Sequence, residues 1–210
     1  MNDDEIWSAI DGQRRRVADL LDGLTDEEWT RPSLCAGWSV RDVAAHLTLQ
    51  QLGPGAAIAM MLRYAGNTNR AIHETSRRRA ATAGTAQIAA DVRASIGSHR
   101  PTFGVTMRET LIDILVHGQD IAVPLGRVLE MPVDAVAVAA TRVWTMHWPP
   151  PFPARRMLAG RRLVATDTDW SIGTGPEIRG PIAALLLIST GRFAALSQVT
   201  GPGTAGLPKR

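Results

Sequence analysis

Residues 147–153 read His-Trp-Pro-Pro-Pro-Phe-Pro. Proline has no backbone N–H and its ring clashes with the preceding helical turn, so this run cannot lie inside a helix. It cuts the 210-residue chain into a long first part, 1–148, and a short second part, 149–210. The first part is rich in helical periodicity. Apolar residues at Ile6, Ile10, Val17, Leu20 and Leu21 predict a helix over 4–21, with Arg14, Arg15 and Arg16 on its wet side. Thr25 with Glu28, Ser39 with Asp42 and Thr106 with Glu109 have the spacing of capping boxes and mark three helix starts.

Further helices are predicted over 39–47, 56–64, 85–96, 106–123 and 132–146, with Gly53-Pro54-Gly55 as a break. Residues 66–84 are polar and read as a loop or loose helix. Beyond the prolines, 161–170 and 171–180 read as two short strands, and 180–199 as a last helix with Gly191 inside it. The expected architecture is mainly α: a helical bundle over 1–148, then a small α+β domain over 149–210.

Composition removes several function classes. Net charge is +3, acidic residues are interspersed, and Lys209 is the only lysine, so no nucleic-acid footprint is expected. Cys35 is the only cysteine, which excludes an intrachain disulfide and fits a reducing compartment. The N-terminus, Met-Asn-Asp-Asp-Glu-Ile-Trp, is acidic where a secretory signal is basic, and no apolar run reaches the length of a membrane span. A cytoplasmic protein with no membrane partner is expected.

The chemistry concentrates on two predicted helices. At about 100° per residue, Glu109, Asp113, His117 and Asp120 form one stripe between greasy flanks, with no arginine in it. Buried acids need a proton, a cation or a metal to compensate them. Asp113 and His117 stand one turn apart, a spacing that suits either a local hydrogen bond or a shared metal ion. His46 lies beside the apolar stripe of Val40, Val43 and Leu47. It is either a satisfied core histidine or a third ligand from a neighbouring helix. Two histidines, one carboxylate and an open position describe a catalytic rather than a structural metal site.

Three segments carry a resemblance. Pro-Ser-Leu-Cys-Ala-Gly-Trp-Ser-Val-Arg-Asp-Val-Ala-Ala-His-Leu at 32–47 resembles the N-terminal motif of the mycothiol-dependent maleylpyruvate isomerase family, in the DinB-like metalloenzyme superfamily. Leu-Val-His-Gly-Gln-Asp-Ile-Ala at 115–122 is similar to its second motif, and 160–170 to its small C-terminal domain. The resemblance implies an up-down four-helix bundle and a divalent metal, usually zinc, on His46, Asp113 and His117. It also implies mycothiol, the low-molecular-weight thiol of actinobacteria, as cosubstrate. The family pattern has glutamate where this chain has Asp113, one methylene shorter, and Glu109 is the alternative carboxylate.

The expected activity is a metal-dependent thiol transferase or isomerase acting with mycothiol on a small electrophile. The competing reading is a non-catalytic metal- or small-ligand-binding regulatory module on the same bundle. Asp120 is expected to orient His117 or to act as a base toward the thiol; its other reading is an exposed carboxylate. Trp38 is expected to pack at the helix entrance and to line the cosubstrate pocket. Cys35 is read as a buried small hydrophobe, Arg77, Arg78 and Arg79 as a solvated run, and Asp167, Asp169 and Trp170 as turn and packing residues. Loops 66–84 and 97–105 are expected to shape the pocket.

Overall fold

The helix-start signals place the elements. The computed structural model describes every residue except Leu52, Thr102, Phe103, Lys209 and Arg210, and Gln51 by its backbone alone. Thr102 and Phe103, in the loop expected to shape a pocket, therefore lie outside the described residues. The chain divides into two compact units, Trp7–Glu130 and Met131–Arg210 together with Met1–Ile6. The boundary drawn from the proline run falls later, after a helix that this division groups with the C-terminal residues.

The first unit holds most of α1 (Asp3–Asp22), then α2 (Asp26–Thr30), α3 (Val40–Leu47), a 3-10 turn (Thr48–Gln51), α4 (Pro54–Arg63), α5 (Thr68–Thr82), α6 (Thr85–Ala94) and α7 (Met107–Ala122). All three capping boxes form. Thr25 N–H donates to Glu28 Oε2 at 2.9 Å, Ser39 N–H to Asp42 Oδ2 at 2.9 Å and Thr106 N–H to Glu109 Oε2 at 2.8 Å. Each satisfies donors that a helix start leaves orphaned. The core draws Val17 and Leu21 from α1, Val40 and Val43 from α3, Ile88 and Val92 from α6, and Ile114 and Ile121 from α7.

Two expectations fall short here. Of the two readings of 66–84, loop or loose helix, the helix holds and is regular: residues 68–82 form the fifteen-residue α5, capped where Asn67 Oδ1 accepts from Arg70 N–H at 3.0 Å. Its buried face is Ala71, Ser76 and Ala80, too small to register as an apolar stripe, yet small enough for α5 to pack closely on α3. Arg77 and Arg78 are solvated as expected, while Arg79 pairs with Asp91. The second failure is Arg14, which is fully buried. It lies four residues after Ile10 and three before Val17, in phase with the core stripe of α1. Its Nη1 donates to Ser95 O and Ser98 O, both at 2.8 Å, and to Asp11 Oδ1 at 3.1 Å.

The second unit contains α8 (Val133–Thr145), α9 (Ala154–Met157), β1 (Arg162–Ala165), β2 (Ser171–Gly173), β3 (Glu177–Gly180) and α10 (Ile182–Ser189). The segment 171–180 forms two strands, not one, split by a turn in which Gly175 takes φ +116°. The sheet order is β2-β1-β3, with β1–β2 antiparallel and β1–β3 parallel. Leu163 opposes Ile172 on one side and Ile178 on the other. The last helix is shorter than expected. Gly191 adopts φ +91° and Arg192 N–H reaches Leu187 O at 2.8 Å, so the glycine ends α10 instead of sitting inside it. A 3-10 segment, Phe193–Gln198, follows.

Asp167 Oδ1 accepts from Ile182 N–H at 2.9 Å, and Trp170 Nε1 donates to Thr141 Oγ1 at 2.9 Å, as turn and packing residues do. The chain is thus mainly helical, a bundle followed by a small α+β part. No described helix is long and apolar enough to cross a membrane.

Replacing Arg14 with leucine withdraws a donor from the buried Ser95 carbonyl and the partly buried Ser98 carbonyl, and leaves Asp11 with only the more distant His99, 3.6 Å away. The expected loss is about 3 kcal/mol, a fall of roughly 6–12 °C in melting temperature for a chain of this size. Thermal denaturation followed by circular dichroism measures it, with the exposed Arg15→Leu as control, expected to shift by less than about 2 °C.

Candidate metal centre

Helix α7 is buried along almost its whole length. From Glu109 to Ala122 only Asp113 and His117 are reached by solvent, with side-chain exposures of 29% and 15%. Helix α3 packs against both α5 and α7 and carries His46 between them. The three side chains meet. His46 Nε2 and His117 Nε2 each lie 3.3 Å from the same oxygen, Asp113 Oδ1. The two imidazole rings stand edge to face with centroids 4.8 Å apart.

The far side of each ring is also engaged. His117 Nδ1 lies 2.8 Å from Asp120 Oδ2, and the Asp120 carboxylate is fully buried. The exposed-carboxylate reading of Asp120 is therefore overturned. As donor to Asp120, Nδ1 carries the ring proton, and Nε2 is the nitrogen turned to Asp113. His46 Nδ1 stands 3.4 Å from the Ser76 hydroxyl on α5. Asp113 Oδ2 accepts from the Gln50 side-chain amide. Glu109 does not join the group: its carboxylate is bonded to Thr106 at the start of α7.

The loop 31–38 closes one side. Leu34 N–H donates to Asp120 O at 3.1 Å, and Cys35 Sγ donates to Asp120 Oδ2 at 3.0 Å. Cys35 is only partly buried, and its thiol lies 3.7 Å from His117 Nδ1. It is a hydrogen-bonding member of the site as well as a small apolar residue packed against the core, which corrects the sequence reading. Trp38 is 8% exposed, and its ring lies against His46, His117 and a third histidine, His73, with centroids 5.4, 6.4 and 5.7 Å away. The indole Nε1 is buried with no hydrogen-bond partner among the described residues.

The electrostatics follow from this geometry. Burial is the largest influence on Asp113 and opposes its charge. The neighbouring His46 and His117 together outweigh burial and hold the carboxyl well below the usual range. Burial likewise opposes charge on His117, but the Asp113 carboxylate, the bonds to Asp113 and Asp120 and the Cys35 thiol hold the imidazole well above its ordinary value.

The donor set suits a divalent cation. Two imidazole nitrogens and one carboxylate oxygen are ligands that zinc takes at about 2.0–2.2 Å, and a tetrahedral site of that radius has edges of about 3.3–3.6 Å. Both nitrogen-to-oxygen separations match that edge. All three ligand atoms lie within 4.8 Å of one another. Cys35, His117 and Asp120 form a second such group, whose members are hydrogen-bonded among themselves and support the first through His117.

Sequence reasoning brought His46, Asp113, His117 and Asp120 forward and missed Gln50, Ser76 and His73. Gln50 had a signal, since it follows His46 by four residues on a continuing helical path. Ser76 and His73 have none, because the polar composition of 66–84 shows no apolar stripe from which a buried face could be placed.

Comparison with known proteins places this geometry in context. The structure resembles a solved mycothiol-dependent maleylpyruvate isomerase and a histidine-to-alanine variant of the same enzyme. Each match has 14% identity and a TM-score of 0.66, and covers 99% of this chain and 95% of the other. No curated protein matches the sequence. The family model for the mycothiol maleylpyruvate isomerase N-terminal domain matches residues 10–122, which include every residue of the site described above. The chain therefore belongs to the mycothiol maleylpyruvate isomerase N-terminal domain family.

Proposed function

We propose that the protein is a metal-dependent thiol transferase or isomerase that takes mycothiol as cosubstrate and acts on a small electrophile. His46, Asp113 and His117 would hold the divalent ion, zinc by its fit to two imidazoles and a carboxylate. The observation that carries this reading is the single oxygen, Asp113 Oδ1, lying 3.3 Å from both histidine nitrogens. The family membership and the likeness to solved isomerases support the choice of cosubstrate.

A dication in this position supplies Lewis acidity that favours thiolate over thiol at neutral pH. The protein's own residues do the rest. Asp120 accepts the Nδ1 proton of His117 and so keeps Nε2 directed at the site; fully buried, it is a positioning residue rather than a base in contact with substrate. Ser76 steadies the His46 ring from the other side. Trp38 offers a buried indole N–H with no acceptor among the described residues, a ready donor to a bound ligand beside the histidines. An activated thiol adds to an electrophilic carbon. In an isomerase the adduct rotates about the former double bond and expels the thiol; in a transferase the conjugate leaves.

Protein purified without added zinc is expected to carry about one equivalent of metal, and His46→Ala and His117→Ala to lose it, measured by elemental analysis. Thiol-conjugation assays with mycothiol and a panel of activated alkenes, epoxides and halides then test turnover. A loaded site inactive on the whole panel points to the binding-module reading. Asp120→Asn is expected to weaken zinc binding about 10- to 100-fold. Trp38→Phe is expected to raise the KM for the thiol about 2- to 10-fold and to leave metal affinity unchanged.

Metal-free stability and metal affinity are expected to run in opposite directions with pH. Folded His117 holds its proton more tightly than the unfolded chain does. Its stabilisation is fully present below the unfolded value near 6.5 and is lost as pH rises through the raised folded value. The Asp113 contribution is present above the unfolded value near 3.9 and is lost as pH falls through the lowered one. Metal must displace the His117 proton, so affinity rises with pH over the range where apo stability falls. Calorimetry in buffers of different ionisation enthalpy is expected to show release of about one proton per zinc at pH 7.

A further inference from the structure

The Asp113 carboxylate has two oxygens with different surroundings. Oδ1 is placed between the two imidazoles, 3.3 Å from each Nε2. Oδ2 is taken by the side-chain amide of Gln50. Gln50 lies in the 3-10 turn Thr48–Gln51, which continues α3, one helical turn beyond His46, and its residue is 6% exposed. A buried amide donor is costly to leave without an acceptor. A carboxylate facing a cation engages it with one oxygen or with two, and the Gln50 bond, by drawing electron density from Oδ2 and fixing the plane of the carboxylate, favours one.

We propose that Gln50 is a positioning residue that restricts Asp113 to one-oxygen ligation, keeping open the coordination position that an exchangeable thiol needs. The inference rests on the proposed metal site. It also gives a role to the short side chain at position 113. Aspartate has one torsion fewer than glutamate between backbone and carboxylate, so a single bond to Oδ2 suffices to aim Oδ1.

Cobalt(II) serves as the probe, because its visible absorption is strong in four-coordinate sites and weak in five-coordinate ones. Gln50→Met keeps the length and bulk of the side chain and removes the donor; Gln50→Ala removes both. In each, cobalt affinity is expected to fall about 10- to 100-fold, and the visible bands of the saturated protein to weaken at least about twofold as both carboxylate oxygens engage. Circular dichroism confirms that the variants are folded. An unchanged spectrum with affinity within about twofold of wild type overturns the proposal and leaves the metal site standing. Failure of the wild type to take up cobalt overturns the metal site and this proposal together. X-ray absorption at the zinc edge of the loaded wild type checks the point without any substitution: one carboxylate oxygen is expected, and two overturn the proposal.

Discussion

One carboxylate oxygen, Asp113 Oδ1, ties α3 to α7. Each helix brings an imidazole to it at the same distance, 3.3 Å. Most of the face of α7 around it is buried and apolar. A charged group in such a setting is tolerated only when its partners outweigh the water it gives up. Here they do: the lowered carboxyl and the raised imidazole are two views of one interaction that overcomes burial of both.

The polar groups around this oxygen form an unbroken sequence. It runs from Ser76 on α5 to His46 on α3, through Asp113 to His117 on α7, and on through Asp120 to Cys35 in the loop before α3. Every member has a polar partner, which keeps a polar network in a core from being a penalty. Such a network specifies the relative placement of the helices more sharply than apolar packing alone, because each member has few acceptable positions.

The parts of this arrangement that were legible in the sequence share one property: they depend on spacing within a single element. The Ser39–Asp42 and Thr106–Glu109 boxes are local, and Asp113 with His117 is an interval of one turn. What crosses between elements was less visible. Helix α5 was hidden because its buried face is Ala71, Ser76 and Ala80, and hydrophobic periodicity registers bulk, not fit. Arg14 was misplaced because its charge was weighed above its phase with Ile10 and Val17. Gln50 sits in phase with His46, but the Gly53-Pro54-Gly55 break close behind it hides whether the helical path continues that far. The burial of Asp120 depends on the loop at Leu34 and Cys35 folding back onto α7, a long-range contact without a local signature.

Asp120 serves two masters. Its carboxylate holds the ring of His117, and its backbone carbonyl holds the loop that delivers Trp38. The indole floor and the imidazole are therefore geared to each other through one residue. The two holds use different atoms of Asp120, so loss of its carboxylate would release the ring while the backbone carbonyl still tied down the loop.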